Sequence, residues 1–285
     1  SGKSGFKAEA GRYHLYVTHN CPLAYRSMVF RELKGLQDII SVSIGGSSCK
    51  DEGWTFNDEP GAAPDTVNNI YHLHELYTKA DPSYTGRITV PTLWDIKKQT
   101  IVNNESSEII RMFNTAFNHI TRNELDFYPN DLRMEIDEVN ELVYSNVNNG
   151  VYRTGFASTQ EAYEEAFGKL FSTLDLLEEK LDKNRYLTGS RLTEADWRLF
   201  STLLRFDIVY FGHFKCNKKH IYEYPNLWNF TLDLYQYPGI SSITNFEQIK
   251  RGYYHLMPKV NPSGIVAKGP LINFNQPHDR ERFTK

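Results

Sequence analysis

From Tyr13 to Thr18 the chain reads Y-H-L-Y-V-T, an aromatic and β-branched run that predicts a short strand. After Cys21-Pro22 the period changes. Ala24, Met28, Val29 and Leu33 recur at helical spacing up to Gly35. Pro22 suits the first turn of that helix, where a missing N–H has no helical partner to lose. Ile39 to Ile44 predicts a second strand. Gly45 to Pro64 is turn-rich, and at about 20 residues it exceeds a usual connection, so it reads as a functional loop or a set of short irregular elements. Asn69 to Tyr77 predicts a helix that stops before Asp81-Pro82. Ile88 to Asp95 and Thr100 to Val102 predict two strands about the turn Lys97-Lys98-Gln99, with Pro91 at a strand start or an edge. Ser106 or Ser107 is placed to cap the helix carrying Ile109, Ile110, Met112 and Phe113.

The order β-α-β, then α-β-β-α, is that of a small α/β sandwich of thioredoxin type. Asn123 to Pro129 reads as a linker. Beyond it, Leu132 to Tyr144, Gln160 to Leu181, Thr193 to Val209 and Leu227 to Tyr235 carry long helical patterns, which predicts an all-α second domain. Thr193 and Asp196 have capping-box spacing, a structural role for that aspartate. The expected organisation is 1–121, a linker 122–129, a helical domain 130–250, and an irregular extension 251–285 that is rich in Pro, Gly and Asn and runs over the surface. No internal repeat is present.

Composition narrows the function classes. The 285 residues carry a formal charge of −3, which gives no reason to expect a nucleic acid or an anionic membrane as partner. No apolar run approaches the roughly 18 residues of a spanning helix. The N-terminus lacks an apolar signal segment, and its Ser1-Gly2 reads as an expression scar that leaves a preceding segment open. Three cysteines, Cys21, Cys49 and Cys216, make neither a disulfide framework nor a close-spaced zinc site, and suit a reducing, cytoplasmic compartment. His72, His74, His213, His220 and His255 form no ligand cluster by spacing, with His213 the least ordinary, so no metal is expected. Cys49 and Cys216 read as incidental or packing residues. Cys21 differs. It follows a strand and begins a helix, where orphan N–H groups and the helix dipole favour a thiolate. The bland alternative is a small apolar side chain at a strand end. With Ala24 three positions on there is no C-x-x-C pair, so disulfide chemistry at Cys21 needs an external thiol to resolve it. Arg26 lies more than one turn away.

A set of separated motifs then resembles one family. F-K-A-E-A-G-R-Y-H-L-Y-V, Cys21-Pro22, G-W-T-F at 53–56, G-R-I-T-V-P-T-L-W-D at 86–95 and V-N-N-E-S-S-E-I-I-R-M at 102–112 are similar to the glutathionyl-hydroquinone reductases, the Xi class of the glutathione transferase superfamily. The likeness continues through Y-P-N-D-L-R at 128–133, V-N-N-G-V-Y-R-T-G-F-A at 147–157, L-T-E-A-D at 192–196, R-F-D-I-V-Y-F-G-H-F-K-C-N at 205–217, Y-Q-Y-P-G at 235–239 and V-N-P at 260–262. It covers nearly the whole chain.

That resemblance implies a glutathione transferase-like architecture, glutathione as co-substrate and a homodimer. It implies that Cys21 attacks the sulfur of a glutathionyl-hydroquinone, releases the hydroquinone, and is freed from its mixed disulfide by a second glutathione. The implied glutathione site is Trp54 as an aromatic wall, Arg87 as a carboxylate counterion, Val90 exposed by a cis-Pro91, Glu105 for the ammonium, and Ser106 for the γ-glutamyl carboxylate. Tyr152 and Tyr253 are implied at an interdomain aromatic site, with Tyr254 and His255 competing for the second position. The family pattern C-P-W-A-H-R stands here as C-P-L-A-Y-R, with Leu23 for Trp and Tyr25 for His. This departure motivates an alternative, a ligandin-like aromatic-binding homologue with weak or altered catalysis. A conjugating transferase is disfavoured, because a cysteine at this position favours disulfide exchange.

Overall fold

The computed structural model describes residues 5–46, 49–50, 52–57 and 60–283; Ser1-Gly2 and the Cys49 side chain lie outside them. By contacts the chain forms two units, Ser1–Asp126 with Ser242–Leu256, and Phe127–Ser241 with Met257–Lys285.

The first unit contains β1 (Tyr13–Thr18), α1 (Pro22–Leu33), β2 (Ile40–Gly45), the two-residue strands β3 (Cys49–Lys50) and β4 (Gly53–Trp54), α2 (Leu73–Ala80), β5 (Thr92–Asp95), β6 (Thr100–Asn103), α3 (Ser106–Thr115) and the single turn α4 (Asn118–Thr121). Four strands form one sheet in the order β2-β1-β5-β6. The β1–β2 pair is parallel, and β5 and β6 add antiparallel. Every residue of β1 is buried, as expected of a central strand covered on both faces, and its near-continuous apolar run follows from that burial. At its start Arg12 donates through Nη2 to Asp95 Oδ2 at 2.6 Å, while Asp95 Oδ1 accepts from the backbone N–H of Lys97 and Lys98. One buried carboxylate thus ties β1 to the β5–β6 turn.

Two local expectations are corrected. Helix α2 begins at Leu73 rather than near Asn69, because Asn69 takes a left-handed φ of 55° and the Glu75 carboxylate accepts from the N–H groups of Tyr71 and His72. The cap of α3 is Glu105, not a serine: its Oε1 accepts from Ser107 N at 3.1 Å.

The second unit is helical, with α5 (Arg133–Val143), α6 (Gly150–Gly155), α7 (Gln160–Lys183), α8 (Glu194–Arg205), α9 (Phe211–His213) and α10 (Pro225–Tyr235). Wider π-type turns follow α5 and α8 at Tyr144–Asn148 and Phe206–Tyr210. Asp196 caps α8 as its spacing predicts. Its Oδ2 accepts from Thr193 N at 2.8 Å and its Oδ1 from Leu187 N at 2.7 Å, while complete burial raises its carboxyl pKa to about 6.

The tail departs most from expectation. Position 250 falls inside α11 (Phe246–Leu256), which belongs to the first unit. Farther on, Phe274 and Arg280 are buried. Arg280 donates to the carbonyls of Leu181, Asn184 and Arg185, at 2.9, 2.5 and 2.6 Å. These groups lie at the end of α7, where orphan carbonyls and the negative dipole end attract a cation. The segment is irregular in backbone yet anchored by that charge.

Candidate active site

Cys21 is the N-cap of α1. Its extended backbone (φ −76°, ψ 116°) turns into the helix at Pro22, and Ala24 N donates to its Sγ at 3.5 Å. As a thiol it donates in turn to Val90 O at 3.7 Å. Ionisation removes the second contact and strengthens the first, since a backbone N–H then meets a negative sulfur. No acidic residue stands in the first turn of α1 to offset the positive end of its dipole. The side chain is half-buried, so the sulfur combines a fixed position with access.

Val90 is followed by a cis bond to Pro91, which leads directly into β5. A hydroxyl network holds this turn. Tyr77 OH donates to Thr89 O at 2.9 Å, Thr92 Oγ1 donates to the same carbonyl at 2.8 Å, and Asn104 Nδ2 reaches Tyr77 OH at 3.2 Å. Asn104 is followed by Glu105, so the cis-proline turn and the start of α3 share one set of partners. At that start Glu105 Oε1 accepts from Ser107 N and Ser107 Oγ, at 3.1 and 3.0 Å, and Ser106 Oγ approaches it at 3.4 Å. Glu105 is exposed whereas Ser106 is buried. Trp54 is half-buried on β4, and Arg87 is exposed with its carbonyl accepting from Tyr84 OH at 2.9 Å.

The structure brings Cys21 and Val90 into contact, sets Pro91 beside them, and pairs Glu105 with Ser106. Tyr253, which the sequence placed in an extension, lies buried on α11 in the first unit. Its competitor Tyr254 is half-buried, and burial raises its hydroxyl pKa. Tyr152 lies on α6 in the second unit. It joins a ring cluster with Tyr210, Phe214 and Phe156, at centroid distances of 5.9, 5.4 and 6.1 Å. Burial shifts the two remaining suspects in opposite ways, keeping the Cys216 thiol protonated and the His213 imidazole neutral. Cys216 is fully buried and its thiol is pushed up to about 12, while burial and the nearby Lys215 lower His213 to about 4.

Sequence reasoning missed Asn20 and Gly252. A Cβ placed on Gly252 would lie 2.5 Å from the Cβ of Asn20, the residue immediately before Cys21. The signal was partial: Phe246, Ile249 and Tyr253 recur at helical spacing about Gly252, but nothing in that spacing names Asn20 as its neighbour. Tyr25 adds a second attachment, with its hydroxyl 2.7 Å from Thr244 Oγ1 just ahead of α11. The tyrosine that departs from the family motif therefore has a partner within the same unit.

With this geometry in place, the chain was compared with known proteins. Residues 20–116 match the family model for the N-terminal domain of glutathione S-transferase, and residues 160–231 match its C-terminal domain. The glutathionyl-hydroquinone reductase YqjG of Escherichia coli is 51% identical over 99% of this chain and 86% of its own length. Its glutathione-bound structure superposes with a TM-score of 0.96, over 97% of this chain and 90% of that one. The glutathionyl-hydroquinone reductase PcpF of Sphingobium chlorophenolicum is also 51% identical, over 94% of this chain and 85% of its own. A Xi-class glutathione transferase from Natrialba magadii is 46% identical with a TM-score of 0.97, covering 99% of this chain and 86% of that one.

Proposed function

We propose, from the premise that this chain belongs to the glutathione S-transferase family and within it to the Xi-class glutathionyl-hydroquinone reductases, that it reduces glutathionyl-hydroquinones at the expense of glutathione. The observation that supports this reading most directly is the Cys21 sulfur, seated on a helix start beside the Val90 carbonyl and cis-Pro91.

The Cys21 thiolate attacks the glutathionyl sulfur of the adduct. An S–S bond forms, the sulfur–ring bond breaks, and its electron pair goes to the ring carbon, which takes a proton. The hydroquinone departs, and Cys21 is left as a mixed disulfide with glutathione. The thiolate of a second glutathione attacks that disulfide, giving oxidised glutathione and regenerating Cys21. One glutathione is consumed per adduct, and no second protein cysteine is needed. The backbone of Val90 meets the peptide part of glutathione, and the Glu105–Ser106 helix start receives its γ-glutamyl end, where N–H groups favour a carboxylate. Trp54 and Arg87 flank the same ligand. The candidates for serving the aromatic group are Tyr152 and Tyr253, each carrying a hydroxyl that can donate to the phenolic oxygen as charge develops. The same reading carries a cytoplasmic homodimer whose chemistry uses no metal. Among the described residues, no helix is long and apolar enough to cross a membrane.

The test is a single turnover without free glutathione, read by intact mass and peptide mapping. One glutathione attached at Cys21, with one equivalent of hydroquinone released, is the expected result. Attachment at Cys49 or Cys216 alone, or release without attachment, refutes the route. Tight binding with no turnover in excess glutathione replaces it with the ligandin-like reading.

A further inference from the structure

We propose that Glu52, His72 and His74 form a binding site for a divalent transition-metal ion of the zinc type, separate from the Cys21 chemistry. In sequence only His72-Leu73-His74 is visible. The fold adds Glu52 from the turn between β3 and β4, and one ligand atom from each of the three residues lies within 4.8 Å of the others. His72 Nε2 is 2.9 Å from Glu52 Oε2. The His72 and His74 rings stack with centroids 5.3 Å apart and planes 11° from parallel. A simple His–Glu contact engages one imidazole. Here a second imidazole is held alongside it, and the carboxylate faces the pair.

The backbone beneath the cluster is fixed. Thr55 and His72 form an antiparallel bridge, Phe56 N donates to Tyr71 O at 2.8 Å, and Glu75 accepts from His72 N at 2.7 Å. Both histidines therefore sit on a constrained strand-to-helix junction. Their partner is the mobile member in the chemical sense: the Glu52 side chain is 66% exposed and adjusts at little packing cost. A tetrahedral zinc ion holds nitrogen and oxygen ligands at about 2.0–2.2 Å, which sets the ligand atoms about 3.3–3.6 Å apart. To reach that spacing the Glu52 and His74 side chains rotate, with His74 turning out of its near-parallel stack so that both ring nitrogens aim at the ion. Two imidazoles and one carboxylate suit ions of borderline softness rather than Mg²⁺ or Ca²⁺, and three protein ligands leave a fourth position for water. The bound ion would fasten the Gly53–Trp54 strand to the start of α2.

The experiment uses the full chain, stripped with chelator and carrying Cys21→Ser and Cys49→Ser, so that thiolates do not compete. Isothermal titration with Zn²⁺ is expected to give one equivalent, and Co²⁺ is expected to give a visible d–d spectrum without thiolate charge transfer. Glu52→Gln, His72→Asn and His74→Asn should each weaken Zn²⁺ at least by the roughly tenfold to hundredfold that loss of an outer-shell partner costs. Zn²⁺ should also raise the thermal midpoint of the parent, an effect that the exposed Glu52→Gln change removes without disturbing the metal-free fold. No binding to the parent, or binding that survives all three substitutions, overturns the proposal.

Discussion

Gly252→Ala tests whether α11 positions Cys21, the proposed nucleophile. The added Cβ would stand 2.5 Å from Asn20 Cβ, 2.5 Å from Nδ2 and 2.6 Å from Cγ. Ordinary carbon contacts begin near 3.5 Å, so about 1 Å of separation has to be recovered. Asn20 Cβ is bound directly to the backbone and cannot swing aside, so either α11 or the segment entering α1 moves. Overpacking of this kind costs about 1–3 kcal/mol. Against it stands the helix-propensity gain of Gly to Ala, about 0.8–1 kcal/mol. The net expectation is a loss of roughly 0–2 kcal/mol in stability. The functional effect should be larger, because a displacement of about 1 Å at a reacting group can cost on the order of a hundredfold in rate. Urea melts report the first quantity. Turnover of a glutathionyl-hydroquinone and Cys21 alkylation rate report the second. Two companions isolate the cause. Gly168→Ala, on an exposed part of α7 with nothing within 4 Å of the new Cβ, should be stabilising by about 1 kcal/mol and kinetically silent. Asn20→Gly removes all three clashing atoms, so the double variant should recover rate relative to Gly252→Ala. If Gly252→Ala keeps wild-type turnover, or if Asn20→Gly fails to rescue it, contact between α11 and the Cys21 segment does not position the sulfur.

Three further outcomes follow from buried groups. Arg280→Ala should cost about 2–4 kcal/mol in denaturant unfolding, because three carbonyls near the end of α7 lose a charged donor; an unchanged midpoint would remove the anchoring role. His14 lies between Ser41 Oγ and Ser43 Oγ, and burial lowers its imidazole from 6.5 to about 4. The unfolded chain therefore binds the proton first as pH falls. Stability from this group is intact above about 6.5 and falls by up to about 3 kcal/mol as pH drops to 4, a slope that His14→Gln should flatten in pH-dependent melts. For Cys216, whose buried thiol is raised to about 12, labelling of native protein at pH 8 should be absent and should appear only on unfolding. Fast native labelling would contradict that burial.

Local periodicity carried most of the first unit. β1 and α1 emerged from the change of hydrophobic period across Cys21, and cis-Pro91 was readable once the family motif had been recognised. The errors have a common physical origin. Ser106 and Ser107 are better caps by residue type, yet Glu105 precedes both and its longer side chain reaches forward to accept from the N–H of Ser107. The tail read as irregular because Pro, Gly and Asn dominate it, but one arginine at position 280 satisfies helix-end carbonyls nearly a hundred residues earlier. Asn20 and Gly252 are far apart in sequence, and nothing in either local window specifies the other. The Glu52 partner of His72 was hidden likewise, since the turn that carries it has no hydrophobic period to fix its path.

The return of α11 to the first unit also has a consequence for synthesis. The sheet and Cys21 are encoded before Asp126, but the helix packed on Asn20 is not complete until Leu256. At about 5–20 residues per second, the intervening chain takes on the order of ten seconds to emerge from the ribosome. Through that interval the nascent polypeptide carries the Cys21 thiol while its neighbours Asn20 and Tyr25 still await α11 and Thr244. A polypeptide truncated ahead of Ser242 would remain in that condition permanently, with every strand of the sheet present and the cover over its cysteine segment missing.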